Sequence, residues 1–144
     1  MKNQKLIFFF CLLIVVVFSS FLYKHLTDKV EVRIEKSNQF TEDEINTAIK
    51  TVKERFKYFK GCQLTDIWYS EKESNAITED YMKYGRGSEN GVKEKNVIVL
   101  LSNFTVDSSG GDGSFEPNST QSDWSWTLIR DSKNDKWQVD SWGY

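Results

Sequence analysis

Histidine occurs once in the 144-residue chain, at His25, and cysteine twice, at Cys11 and Cys62. A zinc site of ordinary composition and the Ser-His-Asp or Cys-His nucleophile systems are thereby excluded, since each needs imidazoles or thiolates that this chain lacks. Most hydrolases go with them. Basic stripes are absent too: from Lys24 to Tyr144 there are 17 Lys and Arg against 21 Asp and Glu, and from Asp107 onward seven acids face three bases. Nucleic acid is therefore not expected as a partner, because neutralising phosphates takes clustered cations. Beyond the apolar N-terminal run, Cys62 is the one thiol, so no intramolecular disulfide is available there and the core must supply the stability. Cys62 reads as a small core hydrophobe, with an intermolecular bridge as the alternative. No cofactor is expected.

What is present begins with a charge-free run. Leu6 to Tyr23, "LIFFFCLLIVVVFSSFLY", would reach about 27 Å as a helix, close to the roughly 30 Å of bilayer hydrocarbon. Residues 1–5 form a short basic tail with Lys2 and Lys5, and no A-x-A-like cleavage site closes the run, which favours an uncleaved signal anchor over a cleaved signal peptide. Membrane lipid is thus the partner expected for residues 6–23. Counting Lys and Arg on the two flanks does not favour export. The short basic tail before one apolar run nevertheless points to secretory targeting, and the domain is expected outside the cytoplasm. Bulky Phe8, Phe9 and Phe10 before Cys11 argue against lipidation there, and His25 reads as an interfacial residue.

Residues 24–39 form a juxtamembrane segment in which "KVEVRIEK" alternates Val30, Val32 and Ile34 with Glu31, Arg33 and Glu35, the period of a half-buried edge strand. Residues 40–144 form a small domain. Thr41 with Glu44 predicts a capping box, and Ile45, Ile49, Val52, Phe56 and Phe59 stripe one face of a helix running to about Lys60, with Gly61 as its stop. "CQLTDIWYS" reads as a strand. Ser70 and Glu73 suggest a second capping box opening a short helix to Tyr84, with "GRGSENG" as loop. Three strands follow, at 96–106, 123–130 and 136–144, the first carrying the consecutive apolar residues of a strand covered on both faces. The expected fold class is α+β: a curved antiparallel sheet packed on one long and one short helix, preceded by a single transmembrane helix.

Two stretches are candidates for chemistry. "DSSGGDGSFEPNST", Asp107 to Thr120, fails the calcium-loop pattern, since its sixth position is Asp112 and its twelfth Asn118, and it reads as slack between strands. Four of the five tryptophans lie between Trp124 and Trp142. Core packing is their default role. The alternative is a concave pocket for an apolar ligand, with Trp124 and Trp126 in its wall and Asp66, Asp123 or Asp140 as the polar group. No residue is assigned a catalytic or metal-binding role.

The stretches "FKGCQLTDIWYS", "GVKEKNVIVLLSNFTVDSSGGDGSFEPNST" and "KWQVDSWGY" resemble a family of uncharacterised extracytoplasmic domains from Gram-positive bacteria, within the nuclear-transport-factor-2-like group. The resemblance covers about Phe40 to Tyr144. It implies a cone of curved sheet wrapped on helices with a cavity at its open end, and it implies no reaction, because the group includes enzymes, binding subunits and oligomerising adaptors. Members that resemble dehydratases rely on histidine with aspartate, which this chain cannot supply. An isomerase-like scheme would need only a carboxylate and a tyrosine, such as Asp66 with Tyr69 or Tyr81. The expectation is a membrane-anchored binding or interaction module, its ligand an unknown protein or small apolar molecule. The alternatives are a small carboxylate acid/base enzyme in the cone and a subunit that forms a homodimer through its sheet.

Overall fold

The computed structural model describes residues 29–144. The apolar run 6–23, with Cys11, and His25 lie outside the described residues, among which no helix is long and apolar enough to cross a membrane. One sheet of five strands runs in the order β1 (Glu31–Ile34), β2 (Cys62–Tyr69), β3 (Val97–Val106), β4 (Thr120–Ile129) and β5 (Gln138–Gly143). The sheet is mixed where an antiparallel one was expected. β1 runs parallel to β2, with Glu31 opposite Asp66 and Ile34 opposite Tyr69, while the other three pairs are antiparallel. A helix fills the connection from β1 to β2 and returns the chain to the end from which β1 set out, which makes the pair parallel. Alternation along β1 fixes its period and says nothing of its direction.

That helix, α1 (Glu42–Phe56), starts on the expected capping box. Thr41 Oγ1 accepts from the Glu44 N–H at 3.2 Å, and Glu44 Oε2 accepts from the Thr41 N–H at 2.8 Å. It stops four residues short of Lys60, because Tyr58 and Phe59 donate three residues back, to Arg55 and Phe56, and tighten the chain. Ile45, Ala48, Ile49, Val52 and Phe56 lie against Ile67, Ile98, Leu100, Phe104, Trp126 and Leu128 on one face of the sheet. Each large side chain fully covered there contributes about 1.5–3 kcal/mol. The opposite face of β3, with Val97, Val99 and Leu101, is buried too. α2 (Glu71–Tyr84), at 14 residues nearly as long as α1, buries Ser74, Thr78 and Tyr81. Where β2 no longer pairs, Ser74 Oγ accepts the Val99 N–H at 3.0 Å and satisfies a strand donor that would otherwise be orphaned. The second capping box does not form: Ser70 makes no side-chain cap, and Glu73 Oε2 accepts from Trp68 Nε1 at 3.4 Å.

Three bulges bend the strands, one in each antiparallel pair. In β4 the bulge places Asp123 at φ 56°, its N–H held by Asn103 Oδ1 at 3.1 Å. In β5 it falls on Asp140, since Thr127 opposes Ser141 and Leu128 opposes Val139. "GRGSENG", expected as loop, contains a single helical turn, α3 (Gly87–Asn90). The 107–120 connection is ordered, not slack. Asp107 Oδ1 accepts from the Ser109 N–H and hydroxyl at 2.7 and 2.5 Å, and the Asp107 carbonyl accepts from the Gly110 and Asn118 N–H groups. α4 (Gly110–Gly113) is a turn of four successive positive-φ residues, a left-handed path that three glycines and an aspartate can follow and most residues cannot.

Candidate functional site

The C-terminal end of α1, the left-handed turn and the start of β4 enclose an aromatic groove of about 450 Å³. Phe59 and Phe115 stack at 6.3 Å, Phe115 meets Trp124 edge-on at 5.6 Å, and Phe59 meets Trp142 at 6.2 Å. The Arg55 guanidinium lies 4.6 Å over the Trp142 ring. Trp124 Nε1 is buried and has no hydrogen-bond partner among the described residues. A buried indole N–H nearly always finds an acceptor, so this one is a donor that the fold leaves unmatched. Cys62 lies half-buried at the core margin nearby, and its Sγ would sit 3.3 Å from a Cβ at Gly111. Burial, followed by the charges of Asp107 and Asp112, raises its thiol above the ordinary value, which leaves it a poor nucleophile.

On the other face of the sheet, the β5 bulge turns the Asp140 carboxylate inward, only 9% exposed. Oδ2 accepts from the Tyr81 hydroxyl at 2.8 Å, and Arg86 approaches Oδ1 at 3.3 Å while donating to the Asp140 carbonyl at 3.1 Å. Arg86, in the stretch expected as loop, keeps most of its side chain exposed while pairing with Asp140. Asn90 Nδ2 donates to the Tyr81 oxygen at 2.9 Å. Burial first, and then the bond to Asp140, pushes the Tyr81 phenol up to about 12. Every polar group in this set has a partner, so it clamps α2 and α3 to the edge strand. A second concavity of about 460 Å³ opens beside it, with Tyr81, Tyr84, Asp123 and Tyr144 among its walls.

The sheet divides the residues that the sequence singled out. Trp124 lines the aromatic groove on the α1 face, while Trp126 is fully buried beneath it and donates from Nε1 to Ser102 Oγ at 2.8 Å. Asp140 belongs to the α2 face. Asp66 sits on β2, 3.7 Å from Arg33 Nη1, with β3 and β4 between it and Asp140. Tyr69 points into the core and bonds Ser37 Oγ at 3.1 Å, so it does not meet Asp66. Trp124, Trp126, Asp66 and Asp140 therefore form no common pocket. Phe59 and Phe115, which also line the groove, were visible in the sequence only as a helix-stripe residue and a loop residue.

Among the described residues no three His, Cys, Asp or Glu side chains gather where a metal ion could be held. No curated protein and no solved structure matches the chain. A family model does match, over residues 24–143, which is nearly the whole chain, and the chain belongs to that family, described as a domain of unknown function (DUF4829).

Proposed function

We propose that the chain is a binding module without catalytic chemistry of its own, tethered to a membrane through residues 6–23 with its domain outside the cytoplasm. Its ligand would be an apolar or aromatic group carrying one hydrogen-bond acceptor, seated between Phe59, Phe115, Trp124 and Trp142. The observation that carries this reading is the groove lined by the Phe59, Phe115, Trp124 and Trp142 rings, with the buried Trp124 Nε1 donor beside it left unmatched. A ligand acceptor there would relieve a donor that the fold leaves unmatched. Three strand bulges and the packing of α1 across one face support a nuclear-transport-factor-2-like cone as the underlying fold.

Anilinonaphthalene sulfonate, an aromatic body with sulfonate oxygens as acceptors, is a suitable probe. It should bind saturably, and Trp124→Phe, which keeps a ring and deletes the donor, should weaken it about tenfold. Equal affinity for the two proteins, with near-UV circular dichroism unchanged, would refute the site. The alternative of a carboxylate acid/base enzyme finds its support in Asp140 and Tyr81, 2.8 Å apart beside a concavity. Turnover found by metabolite screening and abolished by Asp140→Asn would favour it over the binding module.

A further inference from the structure

At the end of the sheet opposite the aromatic groove, two connections bring cations together. Lys93 and Lys95 precede β3, Lys133 lies between β4 and β5, and all three line one concavity of about 320 Å³. No acid pairs with any of these lysines among the described residues. Beneath them Arg130 forms the floor, its side chain only 5% exposed. The guanidinium lies 4.2 Å over the Trp137 ring, donates from Nη1 to the Lys133 carbonyl at 3.1 Å, and sits 2.7 Å from Glu44 Oε1. Its Nε has no hydrogen-bond partner. The acids in the wall are Glu44, already paired with Arg130, and the exposed Asp131.

We propose that this pocket binds a phosphate-type oxyanion, held by Lys93, Lys95 and Lys133 over the Arg130 floor. Three ammonium groups against one unpaired carboxylate leave net positive charge in a concavity of the right size for a small anion. Arg130, its charge matched by Glu44, leaves one donor, Nε, unused beneath them. A compact tetrahedral oxyanion suits such a set, because it accepts from several directions at once. In a chain tethered near lipid, the oxyanion could be the phosphate of an anionic headgroup or a free phosphate in solution.

The test uses the full chain in phosphatidylcholine nanodiscs and follows the Arg130 Nε–H resonance by nuclear magnetic resonance while inorganic phosphate is added. A saturable shift is expected, and affinity should fall about tenfold for each of the exposed lysines changed in Lys93→Gln, Lys95→Gln and Lys133→Gln. A second arm replaces part of the phosphatidylcholine with phosphatidylglycerol and adds no phosphate. A shift in that arm identifies the lipid headgroup as the source, and a shift confined to the first identifies the free anion. No saturable shift in either arm overturns the proposal. So does a shift of equal size in the triple variant, or one that chloride at matched ionic strength reproduces.

Discussion

Glu44→Ala removes contacts from two structures at once, the cap of α1 and the charge balance under β4. Oε2 accepts from the Thr41 N–H at 2.8 Å and from its hydroxyl at 3.0 Å, while Oε1 lies 2.7 Å from Arg130 Nη2. Losing the cap interactions costs about 0.5–2 kcal/mol. Leaving a cation as deeply buried as Arg130 without its counter-charge costs about 3–5 kcal/mol. The expected total, about 3.5–7 kcal/mol, is a large share of the roughly 5–15 kcal/mol by which domains are stable. Urea unfolding followed by tryptophan emission measures it on residues 29–144, which hold the core found among the described residues. Adding Arg130→Met, which sets an apolar chain against Trp137, should restore about 2 kcal/mol or more relative to Glu44→Ala alone. Burial disfavours the charged form of Glu44, but the Thr41 N–H and the Arg130 guanidinium outweigh it and hold its carboxyl below the ordinary 4.5. Its stabilising contribution is therefore complete above pH 4.5 and is lost as pH falls from there through the lower folded value. A cost for Glu44→Ala below about 1 kcal/mol, or no gain from the second substitution, would refute the reasoning.

Gly61→Ala should cost about 2 kcal/mol in thermal unfolding, because φ is +65° and the new Cβ would lie 2.8 Å from Asp107 Oδ1 and collide with Ser109 Oγ. Gly91→Ala, at φ +71° with open space around it, should cost only about 1 kcal/mol, and equal costs at the two sites would deny that the 107–109 turn is packed on Gly61. Tyr81→Phe should lose about 1–3 kcal/mol and should abolish the phenolate absorbance step at about 12. Since that phenol is raised in the folded state, its contribution is whole below pH 10 and disappears as pH climbs toward 12. A wild-type protein whose tyrosines all ionise near 10 would disprove the Tyr81–Asp140 bond.

Elements governed by neighbouring residues were legible in the sequence. Thr41 with Glu44, three residues apart, announced the start of α1, and five consecutive apolar residues announced a β3 covered on both faces. The candidate site was legible only as a wealth of tryptophan. Which indole is core and which lines a groove depends on rings from Phe59 and Phe115, brought to Trp124 by the sheet. Bulges hid the rest: one extra residue in β5 turned Asp140 toward Tyr81, 59 positions away, and away from the tryptophans. Periodicity thus determined the strands, the two long helices and the apolar stripe, because these depend on residues within a turn or a pleat of one another. The parallel start of the sheet, the Glu44–Arg130 pair and the unmatched indole donor were decided by tertiary structure. Each depends on where chain segments dozens of residues apart come to rest, and on which polar groups still lack a partner once they have.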